Sequence, residues 1–307
     1  MSFDLAFVIP VVSPNHATVK DYTQIERLLA ATVRSCLHQR DATVQVIIVG
    51  HRIQDSLKTT QNVTFLNVEG HRALELGNNG VAADKGLKHA LGALEAISTR
   101  SKAIMFVDAD DFVHRDLAKR LPDLLDQTTD GILLTNGMHA LIDTRSNPLR
   151  TRAVFEVNGF HSGCGTCRIF HADTLQRELK TIPTGERQEQ TLNLLNLMLK
   201  SHSKEESLIR CLGRHTNQAT HFRLTRCPEP LAAKGLGHVN HVGISQGAPN
   251  WNRITRTRSR IGFARDFGLE HKTLSLPDFK AVTKGAFFIA RRALIPAFKT
   301  LSRGHKE

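Results

Sequence analysis

Three carboxylates stand at the end of one short apolar run, Ala103-Ile104-Met105-Phe106-Val107-Asp108-Ala109-Asp110-Asp111. The run reads as a buried strand. Asp108 and Asp110 are two residues apart, so an extended continuation of that strand points both side chains the same way. Two converging carboxylates are costly to desolvate unless a cation sits between them. A hard divalent ion such as Mg2+ or Mn2+ meets that need, because it takes a few carboxylates and fills its other positions with phosphate oxygens. The competing reading is a polar strand end in which Asp111 caps the next helix.

A second constellation is His161-x2-Cys164-x2-Cys167-x3-His171. Cysteine and histidine at such spacings can close a tetrahedral zinc site. Gly163, Gly165 and Thr166 within the same stretch suit a tight turn instead, and both readings stand on the sequence alone. Cys211 and Cys227 read as small buried hydrophobes.

The elements that must position the aspartates follow from periodicity. Ala6 to Val12, Val44 to Val49 and Val63 to Val68 read as strands, the second stopped by Gly50-His51. Asp21 to His38 is helical, with Ile25, Leu28, Leu29, Val33 and Cys36 at three- and four-residue spacing. Asp84 to Thr99 is a second helix, and a third lies around Asp116 to Gln127. Strands alternating with helices predict an α/β domain with a mostly parallel sheet, whose ligands bind at the carboxyl ends of the strands. Beyond residue 130 come short strands at Gly131–Gly137 and Ala153–Val157, a Leu-rich helix over Gln188–Lys200, and a Gly-, His- and Asn-rich loop from Leu231 to Asn252. This divides the chain into 1–130, 131–250 and a basic extension over 251–307.

Composition narrows the function classes. The 307 residues are 40% hydrophobic and 23% charged, as in ordinary globular proteins. No apolar run is long enough to span a bilayer. The opening Met1-Ser2-Phe3-Asp4 lacks the basic region of a secretory signal. Five scattered cysteines do not form a disulfide framework. These features predict a cytoplasmic protein. The net charge of +12 calls for an anionic partner. Arg253, Arg256, Arg258 and Arg260 cluster, and so do Lys284, Arg291, Arg292, Lys299 and Arg303 near the C-terminus. As a helix, 281–301 places these bases on one side and Phe287, Leu294, Phe298 and Leu301 on another, a pattern suited to the anionic inner face of a membrane. With one Tyr and one Trp, base-stacking platforms are poor, and no nucleic-acid partner is expected.

The strands Phe7–Val12 and Val44–Val49, followed by Phe106-Val107-Asp108-Ala109-Asp110-Asp111, resemble the GT-A fold of nucleotide-diphospho-sugar glycosyltransferases, in particular the large inverting family called family-2-like. The resemblance covers roughly the first 240 residues and is firmest over Phe3 to Leu117. It implies a Rossmann-like, mostly parallel sheet flanked by helices, a nucleotide-sugar donor and a glycan or glycolipid acceptor. It implies that Asp108 and Asp110 hold a divalent metal bridging the donor phosphates. The first strand's end at Pro10, Asp108, and Asp84 and Lys85 at the start of the second helix are then donor-binding candidates. His238 and His241, in a glycine-containing loop, are candidate late ligands to the metal or phosphate. An inverting transfer also needs a carboxylate base. Glu205 and Glu206 are the candidates, with Glu186 and Glu189 as rivals.

The chain departs from the family pattern in two places. Ser13-Pro14-Asn15-His16 replaces the usual loop after the first strand, and Gly50-His51-Arg52 replaces the acid that reads the base. Two alternatives stay open: a nucleotidyltransferase on a related sheet, and a basic nucleic-acid-binding protein.

Overall fold

The computed structural model describes residues 2–17, 19–68, 80–146, 148–180, 211–213, 221–236 and 253–269. All of them fall in one unit, Met1–Glu270. The first five strands are β1 (Phe3–Pro10), β2 (Val44–Gly50), β3 (Val63–Asn67), β4 (Ser101–Phe106) and the two-residue β5 (Phe112–Val113). Between them lie helices α1 (Tyr22–Leu37), α2 (Asp55–Lys58) and α3 (Gly80–Ser98), and α4 (Leu117–Leu124) follows. Then come β6 (Gly131–Leu134), β7 (Asn136–Asp143), β8 (Arg150–Asn158), β9 (Arg168–His171), α5 (Ala172–Leu179), β10 (Leu224–Cys227), β11 (Ala232–Leu236), β12 (Ile254–Thr257) and α6 (Arg260–Asp266).

The main sheet runs β10-β6-β9-β4-β1-β2-β3 and is parallel except for β9, which is antiparallel to both β4 and β6. The chain is therefore an α/β protein with a mostly parallel central sheet, the Rossmann-like arrangement expected. Burial explains why the strands read as continuous apolar runs: β2 is buried along its whole length, as strands covered on both faces must be. One face packs Leu5, Phe7, Ile9, Val46, Ile48 and Met105 against α1 and α4. The other packs Ala6, Val8, Ile47, Val49, Ile104 and Phe106 against α3 and α5. α1 starts where its sequence says it should, with Asp21 accepting from the Gln24 N–H at the N-cap.

A second sheet runs β12-β8-β7-β11-β5. Its inner face joins Phe112, Met138, Ala140, Val154 and Ala233 to Leu28 of α1 and to Phe263 and Phe267 of α6. Three expectations change here. The Gly131–Gly137 strand is two strands, because the chain crosses from the first sheet to the second at Thr135. The segment opening the expected Leu231–Asn252 loop is β11, paired with β7 and β5. α3 begins at Gly80 rather than at Asp84, so Asp84 lies inside the helix instead of at its start. The Gln188–Lys200 helix and the 281–301 helix lie outside the described residues. No described helix is long and apolar enough to cross a membrane.

His89 on α3 is buried and stacked on Phe106, with ring centroids 4.2 Å apart, and its Nδ1 meets the Leu212 carbonyl at 2.8 Å. Burial, with Lys85 adding repulsion, pushes the imidazole down from 6.5 to about 3. The unfolded chain takes up this proton below pH 6.5 and the folded one refuses it. Stability is thus complete above that pH and is lost progressively as pH falls toward about 3. The slope this residue contributes is up to about 1.4 kcal/mol per pH unit. His89→Phe should unfold earlier than the parent protein at pH 8, having lost the carbonyl contact, yet show a shallower fall of urea midpoint between pH 6 and 4. An unchanged acid slope would place the titrating group elsewhere.

Candidate active site

β4 ends at Phe106, and Val107 extends its pairing by donating to the Val8 carbonyl at 3.0 Å. The chain then turns. Asp111 N–H donates back to the Asp108 carbonyl at 3.0 Å, so the three aspartates sit on a tight turn, not on an extended continuation of the strand. This turn lies at the carboxyl end of β4. Its neighbour β1 is flanked by β2 on one side and β4 on the other, so the strand order reverses there. Crevices at such switch points are where open α/β sheets bind ligands.

The three carboxylates have different surroundings. Asp111 is buried and caps no helix; α4 has Asp116 at its N-cap position. It accepts from Thr166 Oγ1 at 2.5 Å, from the Gly235 N–H at 3.1 Å and from the Cys164 thiol at 3.2 Å. Burial, then the charges of Asp110 and Asp108, raise its carboxyl well above the usual range, against the Thr166 hydrogen bond and Lys234. Asp111 thereby ties the 164–166 turn and β11 to the end of β4. Asp108 and Asp110 are half-buried. Asp108 forms an ion pair with Lys85 of α3, and its backbone N–H donates to Thr166 Oγ1 at 2.9 Å. Asp108, chiefly, sustains the Lys85 charge against the pull of burial, and the net shift is upward.

Two glycines lie against the turn. A Cβ on Gly165 would stand 2.7 Å from Asp108 Oδ2 and 2.9 Å from Lys85 Nζ, so a side chain there would push the tips of the ion pair aside. A Cβ on Gly235 would come to 2.1 Å from the Asp110 carbonyl oxygen. Cys164, Gly165, Thr166 and Gly235 are the residues that sequence reasoning did not place in the site. The signal for the first three was the turn-like spacing of Gly163, Gly165 and Thr166; for Gly235 it was the glycine content of the 234–241 segment, which permits close approach.

Asp84 bonds Lys88 within α3, Nζ to Oδ2 at 2.7 Å, and Lys88 also donates to the Val11 carbonyl at 2.8 Å. This pair pins α3 to the end of β1. Pro10 ends β1, with its Cα partnered by Val49 of β2. The structure thus brings Lys85, Asp108, Asp110 and Asp111 together, with Pro10 and Asp84 in the adjoining elements. Glu205, Glu206, Glu186, Glu189, His238 and His241 lie outside the described residues.

The zinc reading of 161–171 is not supported by the geometry. The Cys164 thiol is used on Asp111, the Cys167 thiol donates to the Cys164 carbonyl at 3.0 Å, and His171 turns away to the Asp126 carbonyl at 3.2 Å. Burial pushes the Cys167 thiol up to about 12. Among the described residues no cluster of three or more His, Cys, Asp or Glu is placed to hold a metal. Asp108 and Asp110 are hard oxygen donors, which suits Mg2+ or Mn2+ in chemical type; such an ion draws its remaining ligands from water and phosphate.

No protein-family model matches the sequence, and no curated protein does. Among solved structures the chain is similar to S. aureus TarS, at 12% identity and a TM-score of 0.42, over 76% of this chain and 37% of TarS. It is similar to TarS 1–349 in complex with UDP-GlcNAc, at 13% identity and 0.42, over 76% and 58%. A third is the bifunctional IspDF of Campylobacter jejuni, at 14% identity and 0.36, over 74% and 50%. The chain thus spans less than two thirds of each of these proteins.

Proposed function

We propose that the chain is a nucleotide-sugar-dependent glycosyltransferase acting on a glycan or glycolipid acceptor, with inversion at the anomeric carbon. The observation that carries this reading is the aspartate turn at the carboxyl end of β4, beside the switch point of the sheet, with the Lys85 ammonium on Asp108. A carboxylate pair and a lysine at that crevice suit a diphosphate: the lysine offers direct charge-assisted hydrogen bonds to phosphate oxygens. When bound on Asp108 and Asp110, a divalent cation supplies Lewis-acid neutralisation of the leaving diphosphate. Asp111 holds the turn in place through Thr166, Cys164 and Gly235, which preorganises the other two carboxylates. Melting-temperature screening against UDP, GDP, CDP and dTDP, each with Mg2+ or Mn2+, tests the assignment. A ligand at 100 times its dissociation constant stabilises the fold by about 2.7 kcal/mol. No shift with any diphosphate would remove the assignment.

The base of the transfer is assigned to Glu205 or Glu206 on the sequence. Glu→Gln at the true base should leave donor affinity intact and lower turnover by at least about 100-fold, in keeping with general-base contributions. Normal turnover in both single variants moves the role to Glu186 or Glu189.

A further inference from the structure

The aspartate turn that suits a divalent cation already holds a positive charge. Lys85 of α3 reaches the end of β4 and forms its ion pair with Asp108 through Oδ1. The other carboxylate oxygen does not face open space either. A Cβ on Gly165 would stand 2.7 Å from Asp108 Oδ2 and 2.9 Å from the lysine Nζ, so the 164–166 turn lies against the pair. Asp111 offers no substitute, since Thr166, Gly235 and Cys164 all donate to its carboxylate. A cation arriving at Asp108 therefore meets the Lys85 ammonium, and two cations on one carboxylate repel each other strongly at that range.

A comparison within the same helix shows that this pair can open. The Lys88 side chain is 1% exposed, and its ammonium is fixed by Asp84 and the Val11 carbonyl. The Lys85 and Asp108 side chains are 26% and 30% exposed. Water reaches the second pair and screens it, whereas the first is costly to break. Lys88 thus anchors α3 while Lys85, on a flexible four-carbon stem, can change partners without moving the helix. Charge balance says what would release it. A cation alone would leave Lys85 without its anion, and a diphosphate alone would face Asp108 and Asp110. Arriving together, they leave every charge opposed.

We propose that Lys85 and a divalent cation are alternative occupants of Asp108: the lysine closes the carboxylate in the unliganded protein and moves to the donor diphosphate when the cation takes its place. Lys85 then couples the two ligands. Each raises the affinity of the other, and by the same factor, because the coupling is a property of the shared carboxylate and lysine. The inference rests on the donor and metal reading of this turn; the hold of Lys85 on Asp108 does not.

Titration of the full chain with Mn2+, the free ion followed by electron paramagnetic resonance, tests this without any turnover. With no nucleotide present, Lys85→Met, which keeps the stem and removes the charge, is expected to bind Mn2+ at least about tenfold more tightly than the parent. Lys85→Arg, which keeps the charge, should stay near the parent. The nucleoside diphosphate that gives the largest melting shift should then tighten Mn2+ by a greater factor in the parent than in Lys85→Met. Equal or weaker Mn2+ binding by Lys85→Met, or Lys85→Arg binding as tightly as Lys85→Met, overturns the competition and leaves the metal reading in place. An equal effect of the nucleotide on both chains overturns the move of Lys85 to the diphosphate. No Mn2+ binding by parent or variant overturns the competition and the metal reading together. If no nucleotide binds, the glycosyltransferase reading and the move to a donor fail, while the nucleotide-free comparison still decides what occupies Asp108. Should Lys85→Met fail to fold, acetylation of the parent by acetic anhydride, read at Lys85 by mass spectrometry, decides instead. Labelling is expected to rise when Mn2+ binds and to fall again with the nucleotide, and labelling that bound Mn2+ leaves unchanged overturns the proposal.

Discussion

Asp110→Asn is expected to remove the stabilisation that a nucleoside diphosphate with Mn2+ confers, while leaving the unliganded protein at least as stable as its parent. Asp110 and Asp108 are the hard oxygen donors of the turn, and losing one charge from such a site weakens a divalent ion directly. A loss of at least about tenfold in metal-assisted affinity, about 1.4 kcal/mol, is the minimum effect. The unliganded protein gains because Asp110 also raises the proton affinity of the buried Asp111. Removing that like charge relieves repulsion across a group already held by three donors. Melting curves with and without ligand measure both halves. A variant that keeps the parental shift on adding nucleotide and metal would take the metal role away from this turn.

The second large effect concerns stability rather than chemistry. Lys88 is 0% exposed, and its charge is balanced by Asp84 one helical turn away. Burial already pushes the Lys88 ammonium below its usual range, with Asp84 opposing. Breaking a buried pair by removing one partner costs about 3–5 kcal/mol, because the other charge is left in a poorly polarisable interior. Asp84→Ala should therefore cost that much in urea unfolding, a large share of a domain's usual net stability. Asp84→Leu with Lys88→Met should recover most of it, since an apolar pair of similar volume has no charge to solvate. A cost below about 1 kcal/mol for Asp84→Ala would show that Lys88 finds its compensation in the Val11 carbonyl instead.

The same two residues show what could and could not be read from the chain. Asp84 resembles a helix N-cap in sequence: an acid ahead of an apolar-periodic stretch. Only packing shows that α3 starts at Gly80, because Asp84 is balanced by a lysine whose burial depends on β1 lying beneath it. Asp111 misled in a similar way. An acid between a strand and a helix fits a cap, and the local sequence carries no trace of Thr166, Cys164 and Gly235, which reach it from 53 to 124 residues away. The Cys-x2-Cys spacing was visible, but whether two thiols face one point is set by the turn between them, and here they face different acceptors.

The amino-acid sequence by itself determined the strand and helix alternation of the first half, the burial of its strands and the place of the aspartates at a strand's carboxyl end. These are properties of periodicity, and periodicity is local. Tertiary structure alone decided which aspartate is buried and which lysine meets which carboxylate. It also decided that the strands after residue 130 divide between two sheets, with β9 running against its neighbours. The physical reason is the same in each case. Desolvation and ion pairing depend on what arrives from distant parts of the chain, and no window of neighbouring residues contains that information.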